Sequence, residues 1–248
     1  MVRRILVVGY GALAYVLFLG VLVYTFGFLA NAFVPKAIDD GPVGPVWLAV
    51  LVNSTLLALF AAQHSVMARP WFKRAWTRVV PAAIERSTYV LASSVVLALM
   101  FWLWRPIPGT VWSAHAVWLQ AVLWTIFGLG WIVGLLSTFM IGHFEMFGMR
   151  QVLARARVVS DAESGFREPW FYRLVRHPLM VGVFIVFWAV PEMSFGRLFF
   201  AVASTGYILI AVRFEEHDLR RDLGEEYERY AERVPRFIPR PSALAGRD

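Results

Sequence analysis

Residues 171–178 of this chain read Phe-Tyr-Arg-Leu-Val-Arg-His-Pro and open the stretch around which the rest is organised. Two apolar runs follow them, and the stretch ends at Pro239 after two charged segments, 213–219 and 223–230. Everything upstream has the character of a membrane scaffold, whereas here charged residues lie against the ends of apolar runs. We therefore expect the chemistry of the protein in this stretch.

The composition is that of a membrane protein. Of the 248 residues, 59% are hydrophobic and only 17% are charged, and the mean hydropathy is +0.60. A soluble chain of this length needs a more polar surface. The chain has no cysteine, which excludes disulfides, thiolate metal sites and a cysteine nucleophile. The net charge of +7 is typical of membrane proteins with arginine-rich cytoplasmic loops, so we expect a lipid bilayer and no nucleic acid as partner. Nothing indicates an obligate protein partner.

Six apolar runs predict the fold. They cover about 5–29, 46–63, 88–104, 117–141, 179–190 and 195–212. The first four approach the roughly 20 residues that a span needs, whereas the fifth is short. We therefore predict an all-α polytopic bundle with four full spans, a C-terminal helical hairpin turning at 191–194, and a cytoplasmic C-terminal helix. Residues 1–170 would form the transmembrane bundle and 171–248 the hairpin and tail, within one integrated domain.

The charges of the loops predict the orientation. The loop 67–86 has five basic residues against one acid, whereas 31–45 has one basic residue against two acids. Positive charge accumulates on the cytoplasmic side of membrane proteins. Both termini and the connections after the second and fourth runs should therefore be cytoplasmic.

Arg173, Arg176, His177 and Pro178 form the first candidate group. Proline suits the first position of a helix, and free N–H groups at a helix start together with two arginines make an anion site. A cofactor that carries a carboxylate would suit it. The alternative is that the arginines are ordinary membrane anchors and His177 is a helix cap.

Arg213 and Glu216 form the second group, together with His217 and Arg220. On a helix their spacings of three and four residues place them on one face. A charge directly after an apolar span is costly unless it is paired or functional. The alternative is an exposed charged helix that leaves the membrane.

The third group lies upstream. His64 and Arg69 follow the second apolar run, and His143 and Glu145 follow the fourth. Two histidines and a carboxylate at one membrane depth would form a proton-handling pocket. We predict no metal site, because no HxxH or HxxxH pair occurs. Either histidine is otherwise structural.

The C-terminal motifs resemble those of isoprenylcysteine carboxyl methyltransferases and their relatives. The matching residues are Arg-His-Pro at 176–178 with Gly182, Glu-Glu at 215–216 with Leu219, Gly224 with Tyr227 and Tyr230, and Val-Pro-Arg at 234–236 with Pro239. The resemblance implies binding of S-adenosyl-L-methionine on the cytoplasmic side of a helical membrane domain. The residues implied for this cofactor are Arg173, Arg176, His177, Pro178, Leu179, Gly182, Arg213, Glu216 and Tyr227. Met180 replaces the family's usual tyrosine, which alters the edge of the implied pocket.

Residues 62–73 and 142–151 are similar to the bacterial methanethiol S-methyltransferase branch of this superfamily. That branch implies methyl transfer to methanethiol, giving dimethyl sulfide, at the cytoplasmic side of the bacterial inner membrane. His64 and His143 are then candidate bases, with Arg69 or Glu145 holding the geometry. A denitrification-linked branch shares parts of the fold. Two alternatives stay open: another acceptor (an isoprenylcysteine carboxylate, a lipid amine or another small thiol), or a membrane accessory protein without activity.

Overall fold

A computed structural model describes residues 2–155 and 168–240. The described chain is mostly helical and has almost no strand, which confirms the predicted all-α membrane fold. The helices are α1 (Val2–Ala30), α2 (Val46–Ala68), α3 (Pro70–Trp76), α4 (Ala82–Leu103), α5 (Val117–Ile141), α6 (His143–Met146), α7 (Met149–Arg155), α8 (Phe171–Leu174), α9 (Pro178–Trp188), α10 (Phe195–Leu223) and α11 (Glu225–Arg233). Two short strands, β1 (Thr110–Ser113) and β2 (Glu192–Ser194), pair in one sheet.

Five helices are long and apolar enough to cross a membrane: α1 from Arg4 onward, α2, α4, α5 and α10. Helix α9 has 11 residues. At 1.5 Å per residue it is about 16 Å long, which is half the thickness of a bilayer core. The run at 179–190 is therefore too short to span alone, as its length in the sequence predicted.

The predicted helical hairpin is α9 followed by α10. Phe187 of α9 packs edge-on against Phe200 of α10 at 5.2 Å between ring centroids, and Trp188 donates a hydrogen bond to Thr205 at 3.1 Å. Strand β2 occupies the turn, where no strand was predicted. Helix α10 also continues past residue 212 to Leu223, so the charged segment belongs to the same helix as the apolar run.

The described residues group into two compact units, of which the first comprises 2–112, 142–155 and 193–199. Its helices α1 and α2 both pack on α4, and α7 packs on α1 and α4. Gly148 has a φ of +83°, and a Cβ there would lie 2.8 Å from the Ser87 backbone nitrogen. Only glycine therefore permits this approach of the loop before α7 to the start of α4.

The second unit comprises 113–141, 168–192 and 200–240, and its main contact is between α5 and α9. A Cβ on Gly182 would lie 2.6 Å from the carbonyl oxygen of Gly130 and from the backbone nitrogen of Gly134. Small residues let two membrane helices approach this closely. Gly130 and Gly134 therefore allow α5 and α9 to approach closely, whereas a Cβ on Gly128 would meet no described atom within 4 Å. The two units are defined by contacts between residues, and each contains segments from separate parts of the chain. The predicted division of the chain at residue 170 stays a prediction.

Candidate active site

A buried carboxylate organises the charged residues of the second unit. Glu216 of α10 has no solvent-exposed surface. Its Oε1 accepts hydrogen bonds from Arg176 Nε at 2.9 Å and pairs with His177 Nε2 at 3.2 Å, while its Oε2 accepts one from Arg236 Nη2 at 2.6 Å. A charge buried this deeply is stable only when it is paired and hydrogen-bonded. The anion that Arg176 meets is therefore Glu216 of the same chain.

The C-terminal tail completes this cluster. The backbone nitrogens of Arg176 and His177 donate to the carbonyl oxygens of Pro235 and Arg236, at 2.8 and 3.1 Å. Arg176 Nη1 also donates to the carbonyl oxygens of Ala231 and Val234, at 2.6 and 2.9 Å. These bonds hold the tail beside the start of α9 and bring Arg236 to Glu216.

Charges of both signs remain accessible around the cluster. The side chains of Arg236 and Arg220 are 43% and 37% exposed, and that of Glu215 is 53% exposed. Arg220 lies 3.7 Å from Glu216 and 3.2 Å from Glu228, so each accessible arginine already faces a carboxylate. The hydrogen bonds to Glu216 raise the pKa of Arg236 above its ordinary value, which keeps its guanidinium charged. Such a surface suits a ligand with both an ammonium and a carboxylate.

Two of the other predicted cofactor residues are exposed. Arg173 donates through Nε to the carbonyl oxygen of Glu168 at 3.0 Å. Arg213 is exposed on α10, whereas Glu216 three residues later is buried, so the two do not share one environment. Their part in cofactor binding stays a prediction.

The remaining predicted cofactor residues pack against neighbouring residues of the second unit. Pro178 begins α9, as predicted, and is buried. Leu179 and Gly182 face α5, where Gly182 makes its close backbone contact and a Cβ on Gly134 would lie 3.9 Å from Leu179. Tyr227 is buried against Tyr230 and Val234, and this burial raises the pKa of Tyr227 to about 12.

In the first unit, His64 lies in a polar cluster between α2 and α4. Its ring is stacked on Phe60 at 5.2 Å and lies within hydrogen-bond distance of the Tyr89 hydroxyl, at 2.9 Å, and of Ser93 Oγ, at 3.4 Å. Gln63 donates to Ser93 Oγ at 3.2 Å. Arg69 lies at the junction of α2 and α3.

His143 lies in a cluster of aromatic side chains. Its Nε2 is 2.7 Å from the hydroxyl of Tyr15 on α1, its ring is 4.7 Å from that of Phe147, and only 4% of the residue is exposed. Burial lowers the pKa of His143 below its ordinary value, because it disfavours the charged imidazolium. Glu145 forms an ion pair with Arg150 at 2.8 Å.

Sequence reasoning missed the partners of both histidines and the bond from Arg236 to Glu216. Tyr15 and Tyr89 lie inside apolar runs, where nothing distinguishes them from packing residues. Arg236 was visible as part of the Val-Pro-Arg motif, which supplied a signal for it.

Comparison with known proteins decides the family. The family model described as NnrU protein matches residues 52–235. The chain belongs to the NnrU protein family. It is 48% identical to the methanethiol S-methyltransferase of Mycobacterium tuberculosis over 96% of this chain and 98% of that protein. It is 49% identical to that of a Pseudomonas species, over 96% and 92%.

A more distant relative of this NnrU family member is human nurim, which is 29% identical over 70% of this chain and 73% of its own length. No solved structure matches the chain. The near full-length matches confirm the resemblance to the methanethiol S-methyltransferase branch.

Proposed function

We propose that this protein transfers a methyl group from S-adenosyl-L-methionine to methanethiol and so produces dimethyl sulfide. The observation that carries the proposal is the 48% identity to a methanethiol S-methyltransferase over nearly the whole of both chains. The similarity includes both the C-terminal charged stretch and the two histidine segments, since it covers 96% of this chain.

The cluster around Glu216 fits the amino-acid part of S-adenosyl-L-methionine. That part carries a carboxylate and an ammonium, and the cluster presents partly exposed arginines, Arg236 and Arg220, beside the exposed carboxylate of Glu215. Charge-assisted hydrogen bonds of this kind are among the stronger ones. We assign cofactor binding to this cluster, with Glu216 holding Arg176 and Arg236 in place.

When bound, S-adenosyl-L-methionine would supply a methyl group from its sulfonium by in-line transfer. The bond between the methyl carbon and the acceptor sulfur would form as the bond between that carbon and the sulfonium sulfur breaks, which leaves S-adenosylhomocysteine. The acceptor must lose its thiol proton, because the thiolate is the stronger nucleophile. A neutral histidine accepts such a proton, and His143 and His64 both stay candidates for this role. The hydroxyls of Tyr15 and Tyr89 would orient the two imidazoles.

We propose the bacterial inner membrane as the location, with both termini cytoplasmic. The basic loop 67–86 and the basic segment after α5 support this orientation through the positive-inside rule. S-adenosyl-L-methionine is water-soluble and is made in the cytoplasm, so a site at the cytoplasmic ends of the helices suits it.

The test is methyl transfer by the protein purified in detergent. Dimethyl sulfide is measured in the headspace after S-adenosyl-L-methionine and methanethiol are added, with longer thiols and an isoprenylcysteine as alternative acceptors. The proposal predicts dimethyl sulfide and equimolar S-adenosylhomocysteine. Binding of S-adenosylhomocysteine in calorimetry without turnover of methanethiol would show another acceptor, and absence of binding would refute a methyltransferase.

His64→Ala and His143→Ala then test the base. Loss of turnover by about 100-fold or more in one of them, with cofactor binding retained, would assign the base to that residue. Full turnover in both variants would show that neither histidine is the base.

A further inference from the structure

The segment between α2 and α4 exposes two basic residues, Arg74 and Arg78, that have no part in the proposed methyl transfer. Residues 64–84 contain no aspartate or glutamate, whereas four basic residues occur there: Arg69, Lys73, Arg74 and Arg78. Both α2 and α4 are candidate spans, so this segment joins two membrane helices on one side of the bilayer.

Three exposed side chains of this segment share one face. Helix α3 continues as helical turns to Val80, whose backbone nitrogen donates to the carbonyl oxygen of Trp76 at 2.9 Å. Trp71, Arg74 and Arg78 are separated by three and four residues, which places them on one side of the helix, and all three are exposed. Trp71 is 57% exposed, although it is one of the largest apolar side chains.

The two arginines on this face have no carboxylate partner among the residues that the structure describes. Across residues 2–155 and 168–240, neither Arg74 nor Arg78 takes part in an ion pair of its side chain. Arg221 and Arg229, by contrast, are exposed arginines that pair with acids of their own helices. An unpaired guanidinium presents its full set of donors to a ligand, and its planar fork matches the oxygens of a phosphate.

We propose that Trp71, Arg74 and Arg78 bind the head group of an anionic phospholipid. Indole rings are enriched at the level of the head groups, and basic clusters beside a span attract anionic lipids. Trp71 would lie between the head groups while the two guanidiniums hold the phosphate. A tryptophan exposed beside two unpaired arginines favours a lipid over a soluble phosphate, because the indole then contacts apolar lipid as well.

The test is native mass spectrometry of the full chain in detergent with phosphatidylglycerol or phosphatidylcholine of the same acyl chains. The wild-type protein should bind phosphatidylglycerol more tightly than phosphatidylcholine. The double variant Arg74→Gln/Arg78→Gln should lose on the order of 25-fold in affinity for phosphatidylglycerol, about fivefold for each arginine, and little for phosphatidylcholine. Trp71→Ala should weaken the binding of both lipids.

The matched control is Arg221→Gln/Arg229→Gln, which removes the same two charges elsewhere and should leave lipid binding unchanged. An equal loss in the control would show a non-specific charge effect and overturn the proposal. Unchanged binding in the Arg74→Gln/Arg78→Gln variant would overturn it as well, as would displacement of the lipid by an equal concentration of glycerol phosphate. Dimethyl sulfide production plays no part in this test.

Discussion

Replacing Glu216 by glutamine tests whether this buried carboxylate holds the C-terminal part together. Its two oxygens accept hydrogen bonds from Arg176 on one side and Arg236 on the other. A glutamine side chain retains one acceptor oxygen. Its NH2 group, which is a donor, would therefore face the N–H donors of one of the two arginines. The side chain of Arg176 is only 8% exposed, and its charge would lose its full counterion.

Removing one partner of a buried ion pair costs about 3–5 kcal/mol. Each kcal/mol lowers the unfolding midpoint of a chain of this size by about 2–4 °C, so Glu216→Gln should lower it by about 10 °C. The control is Glu215→Gln, which makes the same chemical change at a side chain that is 53% exposed. An exposed pair contributes about 0–1 kcal/mol, so this midpoint should hardly move.

The assay is thermal unfolding in detergent, which gives the unfolding midpoint of each variant. Calorimetry with S-adenosylhomocysteine then measures whether each variant binds this ligand. Adding Arg176→Met to Glu216→Gln should cost less than the sum of the single changes, because the uncompensated charge is then gone. Equal midpoints for Glu216→Gln and Glu215→Gln would refute the reasoning, since they would mean that the buried cluster contributes no more than an exposed one.

Three further outcomes are expected. Gly182→Ala should destabilise the protein by about 1–3 kcal/mol in thermal unfolding, because its Cβ would meet backbone atoms at 2.6 Å. Gly128→Ala should not destabilise it, because the added Cβ would meet no described atom within 4 Å. Equal effects of the two substitutions would contradict the packing described. If His143 is the base, Tyr15→Phe should lower the turnover of methanethiol about tenfold and alter its pH profile, because it removes the 2.7 Å contact with His143. Tyr10→Phe on the same helix, which removes a contact with Thr88, should alter neither. The unfolding midpoint should fall as the pH drops below about 6.5, because the pKa of His143 is lower in the folded protein and the unfolded chain therefore binds the proton more readily. His143→Gln should remove this part of the pH dependence. The same pH profile in the wild-type protein and in His143→Gln would contradict the assignment.

The long elements of the fold could be predicted from the sequence. Each span of α1, α2, α4 and α5 is a run of apolar residues, and in a bilayer such a run satisfies its backbone hydrogen bonds only as a helix. The start of α9 at Pro178 and the break between α10 and α11 at Gly224 also follow from single residues. Proline suits the first turn of a helix, and Gly224 has a φ of +57° that favours glycine.

The candidate site was predictable only in part. Arg176, His177 and Glu216 were visible as charged residues beside apolar runs, and their motif resembled a known family. The contact of Arg236 with Glu216 depends on the path of the tail after α11, which passes beside the start of α9. No local pattern in the tail encodes that path, because it results from hydrogen bonds between residues nearly 60 positions apart.

The sequence by itself therefore determined the membrane class, the positions of the apolar helices α1, α2, α4 and α5, and the resemblance to a family of methyltransferases. These properties depend on the local balance of apolar and charged residues and on short motifs. Only the tertiary structure decided which carboxylate pairs with Arg176, and which tyrosine hydroxyl meets His143. A buried charge or imidazole takes the partner that packing brings within about 3 Å, and residues distant in the chain supply that partner.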